Sequence, residues 1–409
     1  MRLPKCMLLL ALLLLASSSL SQDAHPKKPS ATDPAIPRTW DAEAMATLEV
    51  PLAHPAGSPR HVSADYYYKI PMRPIYRQYP LYAPGREPTG YLDWLKQQEP
   101  AVVWGDVNGK HVAPPLKTEA DWIKAGEMVF DSVLVFSPLL PPPIAMEFYK
   151  TAGRPVPNNG VDPFAACVIR EKGKIEVGFA ACADCHTRVM SDGSILKGAQ
   201  GNNPIDHGIA FIMLGQLAGT QDKQALLGFL RLGERSQFEV PWLPASEQAD
   251  YGRLSVEEIA ATHANIPAGL FARQRSSVLY PPQIPDLIGV KDRRYLDRTG
   301  LQQHRGIVDV MRYAALNQGG DNLASYEGFV PAAPDFKILP TPDKLSPPLA
   351  HLDRYSDEQL YALGLYIYSL QPPPNPNKLD ALAARGQRRS LRTKAARCAI
   401  RRPSIPITS

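Results

Sequence analysis

Apolar residues recur at helical spacing in two stretches that lie far apart in the chain. In residues 118–131, Gly126 and Phe130 fall one turn apart on the same face, and Thr118 and Asp121 have the spacing of a helix-capping pair. These features predict a helix that begins after Thr118 and presents a glycine and an aromatic ring on one face.

The second stretch begins with the capping sequence Ser356-Asp357-Glu358-Gln359. Three prolines at positions 372–374 end the predicted helix, because proline has no amide hydrogen to donate. The apolar face of this helix is formed by Leu360, Leu363, Gly364, Ile367 and Leu370.

Residues 22–117 have no periodic apolar face and are rich in proline. The whole chain contains 42 prolines in 409 residues, about twice the usual share of ~5%. We therefore expect residues 22–117 to form a long extended arm, disordered to about Pro37. The part from Tyr66 to Trp104 is dense in aromatic residues, so we expect it to lie against the core and bury its rings.

The chain begins with a short basic stretch, then an apolar run from Cys6 to Ala16, then small polar residues to Ser21. This order is typical of a secretory signal peptide, and the apolar run is too short to span a bilayer. We predict a signal peptide over residues 1–21. No later stretch is long and apolar enough for a membrane helix, so we expect a periplasmic or secreted protein without a membrane span.

One short motif carries recognisable chemistry: Cys182-Ala183-Asp184-Cys185-His186. Two thiols at this spacing add to the vinyl groups of a haem, and the histidine that follows becomes the proximal iron ligand. A structural zinc site would need a second pair of ligands, and the chain has no second Cys-x-x-Cys. A thioredoxin-like redox pair belongs to a cytosolic type of βαβ pattern, which the export signal does not favour. The motif therefore predicts one covalent haem c, anchored by Cys182 and Cys185 and ligated by His186.

The first helix, the haem motif and the last helix together resemble the cytochrome c fold, in which the first and last helices cross at a glycine. The resemblance covers about residues 118–371. It implies a mainly α protein, with a cytochrome c domain over residues 118–375 that is enlarged by long proline-rich loops and by the extended N-terminal arm.

The stretch from Pro285 to Met311 is similar to a segment of the bacterial di-haem cytochrome c peroxidase superfamily. The similarity rests on Pro285-Asp286-Leu287 and on the sixteen positions between Tyr295 and Met311. In that family the closing methionine is the sixth ligand of the electron-transferring haem, so the resemblance implies Met311 as the distal ligand. The chain departs from the family where Asp297-Arg298-Thr299-Gly300 replaces His-Asp-Gly.

Other residues after the motif are also candidates for the sixth iron ligand. His207 ranks second, because it ends a predicted loop over residues 202–207, and a vacant position ranks third. Met311 falls in a short apolar stretch that predicts a buried helix from residue 307. A His/Met pair favours electron transfer, whereas a vacant position would bind peroxide or another small ligand. The full set of candidates is Met190, His207, Met213, His263, His304, Met311 and His351.

Three polar residues follow the haem motif closely: Arg188, Lys197 and Gln200. They are candidates to pair with the haem propionates, and the alternative is that they are solvated loop residues. Of the cysteines outside the motif, we expect Cys167 to be a small buried apolar residue.

Residues 376–409 are predicted to form a linker and a basic tail. The part over residues 376–387 resembles the opening of a second cytochrome c helix, but no second haem motif follows, and residues 381–409 hold eight basic residues and no acid. We interpret the tail as a truncated or frameshifted remnant of a second haem module, with a genuine basic tail as the alternative. The rest of the chain is nearly neutral, which gives no reason to expect nucleic-acid binding.

The sequence thus predicts a cytochrome that carries one haem and exchanges electrons with a redox protein partner. Two alternatives stay open: a di-haem peroxidase-like oxidoreductase that keeps one of its haem modules, and a haem-based ligand sensor with an open iron. The single Cys-x-x-Cys-His motif favours the electron carrier over an intact enzyme.

Overall fold

The computed structural model describes a large part of the chain, which divides into two compact units, Met1–Leu370 and Gln371–Ser409. The predicted signal peptide, residues 297–302, His351 and residues 393–409 lie outside the described ranges. Those ranges are residues 36–40, 68, 71–217, 254–271, 281, 283–296, 303–324, 353–375, 377 and 380–392.

Helices and strands alternate along the first unit. Its described helices are α1 (Tyr91–Lys96), α2 (Glu119–Asp131), α3 (Pro142–Ala152), α4 (Cys182–His186), α5 (Ile205–Ile212), α6 (Val256–Ala264), α7 (Ile307–Ala324) and α8 (Asp357–Ser369). A π-helical turn (Met213–Leu217) continues α5, and a 3₁₀ turn (Val290–Asp292) precedes α7. The strands are β1 (Ile75–Tyr76), β2 (Gln78–Tyr82), β3 (Val102–Val107), β4 (Lys110–Val112), β5 (Val135–Pro138), β6 (Val161–Glu171), β7 (Lys174–Phe179), β8 (Thr187–Val189) and β9 (Ile195–Lys197).

The expectation of a mainly α fold is wrong. The structure has 39% helical and 21% strand residues, and its strands form three antiparallel sheets, so the protein is a mixture of helix and sheet. The sheet orders are β1-β3-β4, β2-β6-β7-β5 and β8-β9.

The proline-rich arm supplies much of the unexpected sheet. Strand β2 is an edge strand of its sheet. Proline lacks an N–H, and at the edge this does not remove a hydrogen bond from between two central strands. The register between β2 and β6 shifts between Pro80 and Tyr82, so that the two strands accommodate the prolines through an irregularity. The described part of the arm therefore contains paired strands and the helix α1, and its strand β2 pairs with β6, which lies outside the arm.

Both predicted capped helices are confirmed. In α2, Thr118 Oγ1 accepts a hydrogen bond from Asp121 N at 3.1 Å, and Asp121 Oδ2 accepts one from Thr118 N at 2.9 Å. Ser356 and Gln359 form the same reciprocal pair at the start of α8, at 3.1 and 2.9 Å. The two helices pack at Gly126, where an added Cβ would lie 2.0 Å from the carbonyl oxygen of Ala362.

The main apolar cluster, which we call the central core, lies where α2, α7 and α8 meet β1 and β3. Trp104 is fully buried in it, which confirms that the arm buries rings, whereas Trp94 is 47% exposed. Cys167 is buried as expected, on β6. The buried members of the central core include Trp40, Ile75, Trp104, Phe130, Ala181, Ala183, Met311, Tyr355, Leu360, Leu363 and Ile367.

The second unit contains α9 (Ala381–Arg392). This helix coincides in part with the predicted helix opening over residues 376–387, and its origin as a remnant haem module stays a prediction. Across the described ranges of both units, no helix has the length and apolarity that a membrane crossing requires.

Candidate haem site

The Cys-x-x-Cys-His motif forms the short helix α4, and a side chain of the motif fixes its start. Asp184 Oδ2 accepts a hydrogen bond from the backbone N–H of Ala180 at 2.5 Å. Ala180 has a φ of 65°, a left-handed conformation that non-glycine residues adopt at some cost. The buried carboxylate therefore offsets the strain of the turn that leads into the motif.

Two glycines hold the end of the same helix. The N–H groups of Gly198 and Gly201 donate to the carbonyl oxygens of His186 and Cys185, at 2.7 and 2.9 Å. A Cβ at position 201 would lie 2.3 Å from the Cys185 oxygen, so only glycine permits this approach. The last carbonyls of the helix thus bond to the loop that follows β9, and the motif is held at both ends.

The histidine of the motif is oriented by a segment about a hundred residues downstream. His186 Nδ1 lies 2.9 Å from the carbonyl oxygen of Pro285, and the N–H of Leu287 donates to Gly198 O at 2.6 Å. A carbonyl only accepts hydrogen bonds, so the proton of the neutral ring is on Nδ1 and the lone pair is on Nε2. This is the tautomer of a metal-ligating histidine whose ring is fixed by a second partner.

The two motif cysteines are thiols of intermediate burial, and covalent haem attachment needs two thiols. Cys182 packs against the central core, and its neighbours Ala181 and Ala183 are buried members of that core. The donor set therefore fits a haem c: two thiols two residues apart, an imidazole directly after them, and an apolar core beside the first thiol.

Met311 lies in the central core with no exposed surface. The helix that carries it, α7, is longer than predicted, since it runs from Ile307 to Ala324. Met213, another candidate ligand, is buried in a separate cluster formed by α5 and α6 with the intervening π-helical turn. Met311 is thus a member of the same core against which Cys182 packs.

The histidine candidates have other hydrogen-bond partners. The expectation that His207 belongs to a loop is wrong, because it lies on α5 and its Nδ1 donates to Ala152 O at 3.0 Å. His263 Nδ1 lies 2.7 Å from a carboxylate oxygen of Asp206. Both ring nitrogens of His304 are engaged, one with Arg293 O at 2.8 Å and the other with a tyrosine hydroxyl at 2.5 Å.

A buried ionic network, which the sequence did not predict, lies against the motif. Arg154 donates to both carboxylate oxygens of Asp162, at 2.5 and 3.0 Å, and to Asn203 Oδ1 at 3.1 Å. Asn203 in turn donates to Asp184 Oδ1 at 3.4 Å. Burial raises the pKa of Asp184 to about 7, and the positive charge of Arg154 limits that rise. No local sequence pattern predicts this network, because Arg154 and the motif are about thirty residues apart.

The three residues considered for the haem propionates are engaged with other groups. Lys197 Nζ lies 2.6 Å from Asp131 and 2.9 Å from Glu127, and it bonds to both carboxylates. Arg188 reaches Gln200 O at 3.5 Å, and the Gln200 side chain donates to a backbone oxygen at 3.1 Å. Lys197 and Gln200 are thus held by other groups, whereas Arg188 is exposed and makes only this one long contact.

Within the part of the chain that the structure describes, no group of three or more His, Cys, Asp or Glu side chains could hold a metal ion. No protein-family model, curated protein or solved structure matches the chain.

Proposed function

We propose that the protein is a periplasmic c-type cytochrome that binds one covalent haem and exchanges electrons with a redox protein partner. The observation that carries the proposal is the hydrogen bond from His186 Nδ1 to Pro285 O at 2.9 Å, inside a Cys-x-x-Cys-His helix. That bond presents the Nε2 lone pair of the ring and holds its orientation, which is what a proximal iron ligand requires. When bound, a haem supplies an iron that accepts and releases one electron.

Each residue of the site has a defined part in this proposal. Cys182 and Cys185 would anchor the group as thioethers, and His186 would ligate the iron through Nε2. Met311 is proposed as the distal ligand, because it is fully buried in the core against which Cys182 packs. The surrounding apolar side chains exclude water, and a His/Met pair in a dry core favours a high reduction potential.

The first experiment measures the covalent haem content by intact mass and records the visible spectra of the oxidised and reduced protein. The proposal predicts one haem per chain and a low-spin oxidised spectrum with a methionine–iron charge-transfer band. A mass without haem would refute the proposal. A high-spin spectrum that changes when peroxide is added would refute the electron carrier in favour of the peroxidase-like or sensor alternative.

The distal ligand is tested by Met311→Leu, which removes the sulfur and nearly conserves the side-chain volume, so it costs less than about 1.5 kcal/mol of stability. The charge-transfer band is expected to disappear in this variant. Met213→Leu is the matched control, since Met213 is equally buried but belongs to the separate cluster. Retention of the band in Met311→Leu would show that another group ligates the iron.

A further inference from the structure

The basic tail contains a helix, α9, whose start is capped. The N–H of Ala383 donates to Asp380 Oδ1 at 2.6 Å, and the N–H of Ala384 donates to Asp380 O at 2.9 Å. An aspartate at this position satisfies an amide that the helix itself leaves free, and its negative charge is favourable at the positive end of the helix dipole. The helical spacing of the residues that follow therefore determines which side of α9 each of them occupies.

Three arginines and a leucine share one side of α9. Leu382, Arg385 and Arg389 are spaced as i, i+3 and i+7, and Arg388 is adjacent to this row. The three arginines are exposed, and Leu382 is 67% exposed. A Cβ added at Gly386, which lies beside the row, would meet no atom within 4 Å in the described part of the chain. We call these four residues the arginine face, and it is open to solvent.

The charges of the arginine face are not neutralised by the protein. Among the residues that the structure describes, its three arginines have no ion pair or hydrogen-bond partner for their side chains. Residues 381–409 contain eight basic residues and no acid, so the tail does not neutralise itself. The contrast is Arg154, whose guanidinium is fixed by Asp162 and Asn203. Arginines that are not fixed in one orientation suit a receptor whose anionic groups can rearrange around them.

We propose that the arginine face of α9 docks the protein on an anionic phospholipid surface. The guanidinium groups bond to lipid phosphates, while their aliphatic stems and Leu382 lie at the boundary between the headgroups and the acyl chains. A nucleic-acid backbone would also pair with the arginines, but it would leave Leu382 in water. The export that the sequence predicts brings the chain to a bilayer and away from nucleic acid.

This inference does not depend on haem binding. It makes the basic tail a genuine functional segment, which is the alternative to a truncated remnant of a second haem module. Docking through α9 holds the protein at the bilayer surface and restricts its search for a partner to that surface.

The test is co-sedimentation of the full mature chain with phospholipid vesicles. One set contains equal parts of phosphatidylglycerol and phosphatidylcholine, and the other contains phosphatidylcholine alone. Glutamine forms helices about as well as arginine, so it removes the charges and keeps α9. The variant of the arginine face therefore combines Arg385→Gln, Arg388→Gln and Arg389→Gln. Its matched control removes three exposed charges from the first unit, with Lys110→Gln, Lys117→Gln and Lys124→Gln.

We expect the wild type to bind the vesicles that contain phosphatidylglycerol and not those of phosphatidylcholine alone. The binding constant should fall about 100-fold in the arginine variant, because each basic residue near an anionic bilayer contributes about fivefold. It should be nearly unchanged in the lysine control. Raising the salt concentration from about 0.1 M to about 1 M should release the wild type, since the Debye length falls from ~10 Å to ~3 Å. Equal binding to both kinds of vesicle, or an arginine variant that binds like the wild type, would overturn the inference.

A further variant, Leu382→Gln, separates a bilayer from other polyanions. We expect it to bind the anionic vesicles about tenfold more weakly, because the apolar side chain no longer enters the interface. If it binds them as tightly as the wild type, and duplex DNA displaces the protein from them, the partner is a polyanion without an apolar layer and the inference is wrong. Each of these failures leaves the proposed function intact, whereas a chain without covalent haem that still binds the vesicles refutes the proposed function alone.

Discussion

Gly126 offers a sharp test of how the two predicted helices pack. In Gly126→Ala the new Cβ would lie 2.0 Å from the carbonyl oxygen of Ala362 and 2.7 Å from the Cβ of Tyr366. Contacts below 3.0 Å essentially never occur for real Cβ atoms, and the obstructing oxygen is backbone of α8. The helices must therefore separate by about 1 Å or more, which disturbs the packing of the central core along both of them.

The expected cost follows from two opposing effects. Overpacking of this kind destabilises by about 1–3 kcal/mol, and a backbone obstacle places the cost at the upper end. Replacing a helical glycine by alanine recovers about 1 kcal/mol of helix propensity. We therefore expect Gly126→Ala to lower the free energy of unfolding by about 2 kcal/mol, which is the difference between the two effects.

The assay is urea unfolding of the purified protein, followed by far-UV circular dichroism. Gly208→Ala is the control, because Gly208 is also helical but its added Cβ would meet only the Phe148 ring, at 3.2 Å. That ring can turn aside, so the control should change stability by less than about 1 kcal/mol. A Gly126→Ala protein at least as stable as the wild type would refute the close packing of α2 and α8.

Further predictions concern ionic and thiol groups. Arg154→Leu should lower the free energy of unfolding in urea by about 3–5 kcal/mol, because it leaves buried Asp162 without its cation. Lys172→Ala is the control in an exposed ion pair, and it should lower the free energy of unfolding by less than about 1 kcal/mol. Cys167, whose pKa burial raises to about 12, should resist iodoacetamide at pH 8 in the native protein and react after unfolding, as peptide mass mapping would show. The hydrogen bond from the capping threonine lowers the pKa of Asp121 below 3.8, so its contribution to stability is present above pH 3.8 and lost as the pH falls through the native pKa. Asp121→Ala should therefore weaken the acid dependence of the unfolding free energy, and an unchanged acid limb would contradict this assignment.

The sequence was most informative where structure depends on nearby residues. Thr118 with Asp121, and Ser356 with Gln359, are three residues apart, and both capping pairs formed as predicted. The haem motif is equally local, because five consecutive residues carry the thiols and the imidazole. These signals need no knowledge of how the rest of the chain folds.

The sheets were missed because strand pairing depends on distant residues. Gln78 pairs with Val168 and Ile75 pairs with Trp104, and the proline at position 80 hid the strand that contains it. His207 was misplaced for a related reason, since the asparagine- and proline-rich residues before it indicated a loop and the helix begins only at Ile205.

The candidate site was predictable only in the five residues of the motif itself. The hydrogen-bond partner of the His186 ring is the carbonyl oxygen of Pro285. This is a backbone atom, so a pattern of side chains in the sequence cannot predict it.

The hydrogen bonds between the N-terminal segment and the start of α8 also determine when, during synthesis, the central core can form. Thr39 bonds to Asp357, 318 residues away, and Arg73 to Asp353, 280 residues away, so the central core cannot close before α8 has been made. About 170 residues separate the haem motif from α8, and at ~5–20 residues per second their synthesis takes on the order of 10–30 s. The thiols of the motif are thus made early and partly buried late, only after α8 has been made.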